Sequence, residues 1–97
     1  MKFRQGDLLI VKISGIPTDC IKQAHRILAE GEAAGHMHEL DSGEVYEKEG
    51  TLFFRVPEEQ RTTLKHPEHG PITFGPGVYK VIRQREYAPD GWRKVID

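Results

Sequence analysis

The sequence predicts an all-β fold, a small single-domain barrel or sandwich of about eight short strands over residues 1–97. Three observations carry this reading. Ten glycines and six prolines are spread along the chain. The apolar segments between them are short and rich in β-branched and aromatic residues, and most are bounded by turn chemistry.

Taken in order, "DLLIVKI" (7–13) is a β-branched run ended by "SGIP". "TDCIKQ" (18–23) is compatible with one helical turn, and "AHRILAE" (24–30) follows as a strand. "GHMHEL" (35–40) and "EVYEKE" (44–49) flank "DSG", a type I turn with a glycine suited to positive φ, so the pair reads as a hairpin. "TLFFRV" (51–56) is the most apolar segment and is expected in the middle of a sheet, closed by Pro57. "RTTLKH" (61–66) runs into "HPEHGP" (66–71), where two prolines and a glycine exclude a regular ladder and predict a turn. "ITF" (72–74), a tight Pro-Gly turn and the long strand in "GPGVYKVIRQREY" (75–87) follow, and "APDG" (88–91) returns "WRKVID" (92–97) as an antiparallel partner.

Bulk composition narrows the function. Ninety-seven residues suit one small core, which a homodimer would help to stabilise. Fourteen basic against fifteen acidic side chains give no field to steer the chain onto nucleic acid or an anionic membrane, so neither is an expected partner. The lone Cys20 cannot form an internal disulfide, and the start "MKFRQGDLLIVKI" lacks the long apolar run and cleavage site of a signal, so the expected setting is cytoplasmic.

The chemistry concentrates in histidine. In a strand, side chains at i and i+2 leave one face at about 3.3 Å rise per residue, so His36 and His38 can converge on one point. Met37 should then turn to the core, with Gly31 and Gly35 letting the chain bend sharply beside the pair. A catalytic metal typically takes three protein ligands and keeps one position open. "HPEH" supplies candidates in His66 and His69, with Glu68 between them as a carboxylate ligand or general base. Glu44, on the strand after "DSG", is a second candidate base facing His38. The expected cofactor is a divalent zinc, iron, manganese or nickel ion held by His36, His38, His66 and His69, serving a small-molecule substrate. His25 stands alone and is read as a surface or core histidine.

Two resemblances bear on this. The segment "GEAAGHMHELDSGEVYEKEG" (31–50) resembles the first motif of the cupin superfamily, with its glycine, His-x-His, glutamate and glycine. Four residues rather than five separate the first glycine from His36, and five precede Glu44. "GPITFGPGVYKV" resembles the second motif through Gly70, Pro76 and Gly77, but Val78, Tyr79 and Lys80 stand where its histidine belongs. The cupin resemblance implies a β-barrel enclosing a metal, with His66 or His69 replacing the missing ligand. A second resemblance covers nearly the whole chain: "RQGDLLIVKI", "LAEGEAAGHMH", "HPEHGPI" and "GPGVYKVIRQREY" are similar to small proteins of unassigned function from bacterial and phage genomes. It implies that the histidine pairs belong to one design.

Competing readings remain open. The same pocket could capture a nucleotide or small phosphorylated molecule without catalysis, using Arg83, Arg85 and Tyr79 with the histidines. A hydrogen-bonded histidine cluster without metal, or a structural module pairing through its strand edges, are the others. Gly75, Pro76 and Gly77 lack the lysine and helix start of a phosphate loop, and Ser14 and Ser42 lack a nucleophile elbow. Arg83, Arg85, Arg93 and Lys94 near Tyr87 and Trp92 are diluted by Glu86, Asp90 and Asp97, which favours ordinary sheet decoration over nucleic-acid binding.

Overall fold

The computed structural model describes residues 1–30 and 36–83, together with the backbone of 86–88 and 91–93. Among these residues there is no helix, and the strands are β1 (Lys2–Gln5), β2 (Leu8–Ile13), β3 (Ile21–Lys22), β4 (Ile27–Glu30), β5 (Met37–Leu40), β6 (Glu44–Lys48), β7 (Thr51–Val56), β8 (Thr62–Lys65), β9 (Ile72–Phe74), β10 (Gly77–Arg83), β11 (Glu86–Ala88) and β12 (Gly91–Arg93). A six-stranded sheet has the order β1-β2-β10-β7-β6-β3, and a four-stranded sheet has the order β4-β5-β8-β9. All pairings are antiparallel. The two sheets form a sandwich rather than a closed barrel.

The inner faces meet in one apolar cluster. Leu8, Ile10, Val45, Phe54, Val56, Tyr79 and Val81 come from the larger sheet, and Leu28, Ala29, Leu40, Leu64 and Phe74 from the smaller. The Phe54 and Tyr79 rings stack at 4.8 Å, and Phe74 meets Phe54 edge-on at 5.2 Å, so aromatic contacts join the layers. β7 lies between β10 and β6, as its apolar content requires.

Several connections differ from the expectation. "DSG" does not close a hairpin, because β5 pairs with β4 and β8 while β6 pairs with β7 and β3. After Leu40 the chain clings to β8: Asp41 N–H donates to Thr63 O (3.1 Å), and the Asp41 carboxylate accepts from Thr63 N–H (3.0 Å). Gly43, at φ +91, then turns the chain into the other sheet. "GPG" is likewise a corner between sheets, since β9 pairs with β8 whereas β10 pairs with β2 and β7. "TDCIKQ" forms no helical turn: Ile21 and Lys22 pair with Glu47 and Tyr46, satisfying edge backbone groups that one isolated turn would leave open. The "HPEHGP" segment does form the loop of the β8–β9 hairpin. The backbones of β11 and β12 pair as the "APDG" turn predicts.

Candidate functional site

The site begins at the hairpin between β1 and β2. β1 and β2 are joined by Gly6 and Asp7 alone, with Gln5 opposite Leu8 and Gly6 at φ +58. Glycine in the first central position suits a two-residue turn of primed type. This puts Gln5 on the inner face of the larger sheet's edge strand, with 3% of its surface exposed.

Gln5 reaches across to the smaller sheet. Its side-chain nitrogen donates to Leu64 O (3.0 Å) and Gly70 O (2.9 Å), and its oxygen lies 2.8 Å from Nδ1 of His38. With both amide hydrogens directed at carbonyls, only the oxygen can face His38. The imidazole therefore carries a proton on Nδ1, and in its neutral form keeps a lone pair on Nε2. Such an arrangement is the one a metal-ligating histidine usually has, with one nitrogen held by an outer partner and the other directed at the ion. His38 Nε2 stands 3.7 Å from Asp7 Oδ1, and that carboxylate is itself held by Arg83 Nε at 3.0 Å. Arg83 Nη2 also donates to Glu30 O (2.8 Å), tying the end of β4 to this corner.

The four histidines do come together. Ring centroids of His38 and His66 are 4.4 Å apart, those of His66 and His69 4.5 Å, those of His36 and His66 5.9 Å and those of His38 and His69 6.1 Å. They are not equivalent. His38 is buried within β5, whereas His36 precedes that strand and leaves 34% of its side chain exposed, with Nδ1 3.2 Å from Glu68 Oε1. His66 Nδ1 accepts the Glu68 N–H at 3.0 Å, so its neutral ring carries the proton on Nε2. His69 Nε2 is buried and has no hydrogen-bond partner among the described residues. Gly6 permits this packing, because a Cβ there would stand 2.8 Å from His69 Nε2 and 3.3 Å from His38 Cε1.

Among the described residues no three His, Cys, Asp or Glu side chains already stand so as to hold a metal ion between them. The donor types present, imidazole nitrogen and carboxylate, are those a divalent transition metal takes: His38 Nε2 is 3.7 Å from Asp7 Oδ1, and His69 Nε2 is buried with no hydrogen-bond partner among the described residues.

The other expected participants lie elsewhere. Glu44 belongs to β6 and accepts from Arg55 (Nε 3.0 Å, Nη2 2.8 Å) and Tyr46, with Lys22 at 3.6 Å. The Arg55 hydrogen bond, followed by that from Tyr46, holds its carboxyl below the ordinary range, the opposite of what a general base near neutrality needs. Tyr79 is 3% exposed within the aromatic core, and its hydroxyl donates to Gly75 O at 2.8 Å, so it offers no surface to a ligand. Met37 does not enter the core. His38 and Leu40 take the inner face of β5, leaving Met37 and Glu39 on the outer one. Gly31, Gly35 and Arg85 lie outside the described residues. His25 is exposed and accepts only the Ile27 N–H.

Gln5 and Asp7 were missed, although "QGDLL" carries a signal for them. Gly-Asp between "KFRQ" and "LLIV" is a two-residue hairpin turn, and recognising it would have placed both side chains at one sheet corner.

Fold and site together define a small two-sheet β-sandwich protein with a histidine and carboxylate cluster at the seam between its sheets. The chain belongs to the family described as a domain of unknown function, DUF8820, whose model matches residues 4–84. That span contains every site residue from Gln5 to Arg83. No curated protein and no solved structure matches the chain.

Proposed function

We propose that the cluster binds a divalent transition-metal ion through His38 Nε2, His69 Nε2 and the Asp7 carboxylate, with His36 at the exposed mouth. The buried His69 Nε2, which has no hydrogen-bond partner among the described residues, carries this reading, because such an atom costs about 1–3 kcal/mol unless something satisfies it. Asp7 and His69 must close on one point for all three to bind, and His69 sits in the β8–β9 loop, where such an adjustment is least costly. Two imidazoles with one carboxylate suit iron, zinc, manganese or nickel, and an ion so held would polarise a bound oxygen or activate water.

The chain's own residues prepare the place. Gln5 sets the His38 tautomer, Arg83 orients Asp7, and Glu68 holds His36 while remaining 63% exposed, where it can exchange protons with a small-molecule substrate. Of the cupin resemblance this reading keeps the metal and replaces Glu44 by Asp7. The nucleotide-binding alternative at the histidines loses support because Tyr79 is buried in the aromatic core with its hydroxyl spent on Gly75 O.

The test is metal content of protein purified without a histidine tag. About one equivalent in the wild type, lost in His69→Ala and Asp7→Asn proteins that remain folded by circular dichroism, is expected. Metal-free wild type whose melting temperature does not rise on adding zinc, iron(II), manganese or nickel would remove the proposal.

A further inference from the structure

A second site lies in the larger sheet, where two neighbouring strands part company. The β10–β7 ladder runs from Gly77–Val56 to Lys80–Phe53 and stops there, although β10 continues to Arg83 and β7 begins at Thr51. Each strand keeps its other neighbour beyond that point. Val81, Ile82 and Arg83 stay paired with Ile10, Leu9 and Leu8 of β2, while Leu52 and Thr51 stay paired with Glu47 and Lys48 of β6. The sheet therefore splits, and the facing edges of Val81–Arg83 and Thr51–Leu52 share no ladder bond.

A cleft of about 640 Å³ occupies the split, within the range of small-molecule pockets. Residues from both faces of β10 line it, which follows if the opening passes through the sheet: Val81 and Arg83 point inward, Lys80 and Ile82 outward. Its apolar wall comes from Leu28, Leu52, Val81 and Ile82. Its charged side chains among the described residues are Lys80 and Arg83, both cationic. Lys80 is exposed and has no ion-pair partner among the described residues, and Arg83 spends two of its five N–H groups on Asp7 and Glu30 O.

We propose that this cleft binds a small organic anion, a carboxylate or phosphate monoester carrying an apolar group. The anion would lie at Lys80 and the remaining Arg83 donors, and the apolar body against Leu28 and Leu52. Unladdered backbone N–H groups along the split add donors that a neutral apolar ligand would leave unsatisfied. The two sites share Arg83, but the cleft and its cations are present whether or not an ion binds at the histidines.

The test is a ¹H–¹⁵N correlation titration of the full chain with phenyl phosphate and with phenylbutyrate, against phenylbutyramide and inorganic phosphate. Saturable shifts at Thr51, Leu52, Val81 and Ile82 with at least one of the two anions are expected, and which one responds distinguishes phosphate ester from carboxylate. Lys80→Glu, at an exposed position that leaves the core intact, should weaken that binding about tenfold or more. Equal binding of the neutral amide, binding of inorganic phosphate alone, unchanged affinity in Lys80→Glu, or no saturable shift with either anion would each overturn the proposal.

Discussion

Replacing Gln5 by leucine keeps the approximate volume of the side chain while removing every polar contact it makes between the sheets. Three partners lose their bonds: Leu64 O at 3.0 Å, Gly70 O at 2.9 Å and His38 Nδ1 at 2.8 Å. A typical hydrogen bond contributes about 1 kcal/mol net, but a buried group left without a partner costs about 1–3 kcal/mol. Gly70 is exposed and its carbonyl can recruit water, whereas Leu64 and His38 are buried, so the penalty falls on those two. The leucine side chain regains part through apolar burial. The expected net loss is about 3 kcal/mol, a melting temperature lowered by roughly 12–24 °C for a domain of this size. Urea denaturation with an unchanged slope is the assay, since an altered slope would signal a change in the denatured or native ensemble instead. A Gln5→Leu protein within about 1 kcal/mol of wild type would refute the argument that Gln5 joins the sheets and fixes the His38 tautomer.

Further outcomes follow from the same geometry. Gly6→Ala places a methyl group 2.8 Å from His69 Nε2 at φ +58; it should cost about 1–2 kcal/mol in thermal stability and abolish metal uptake measured in the same samples. Tyr79→Phe removes the hydroxyl bond to Gly75 O and should cost about 1 kcal/mol by urea denaturation while leaving metal content unchanged. Phe54→Ala should cost about 3–5 kcal/mol by the same measurement, because that ring is fully buried and touches Phe74 and Tyr79. Asp41 and Glu44 both have depressed carboxyl pKa values, the first chiefly through the Thr63 N–H and the second through Arg55. Groups depressed in the folded state contribute stability above their unfolded pKa that is lost as pH falls through the folded one. The Asp41→Asn, Glu44→Gln protein should therefore show a shallower decline of urea midpoint below the ordinary carboxylate range than wild type does.

Strand content and turn positions were legible in the chain itself. Short β-branched and aromatic runs cannot bury a face as helices, and "HPEHGP", with two prolines, cannot continue a ladder, so the β8–β9 loop with its two histidines followed directly. Gly43 was expected to take positive φ and does, at +91. What local pattern could not supply was the sheet to which each next strand belongs. A turn of given chemistry reverses or redirects the chain equally well within one layer or between two, so "DSG" and "GPG" looked like hairpins and are corners. The face of β5 was also decided by packing. Period-two alternation separates Met37 from His38 but does not say which is inside, and the hydrogen bond to Gln5, 33 positions away, offsets the cost of burying His38. The gathering of Gln5, Asp7, His38 and Arg83 at one seam is tertiary in origin: Arg83 reaches Asp7, 76 residues away, through the pairing of β10 with β2, and Gln5 reaches His38 only once the two sheets have closed on each other.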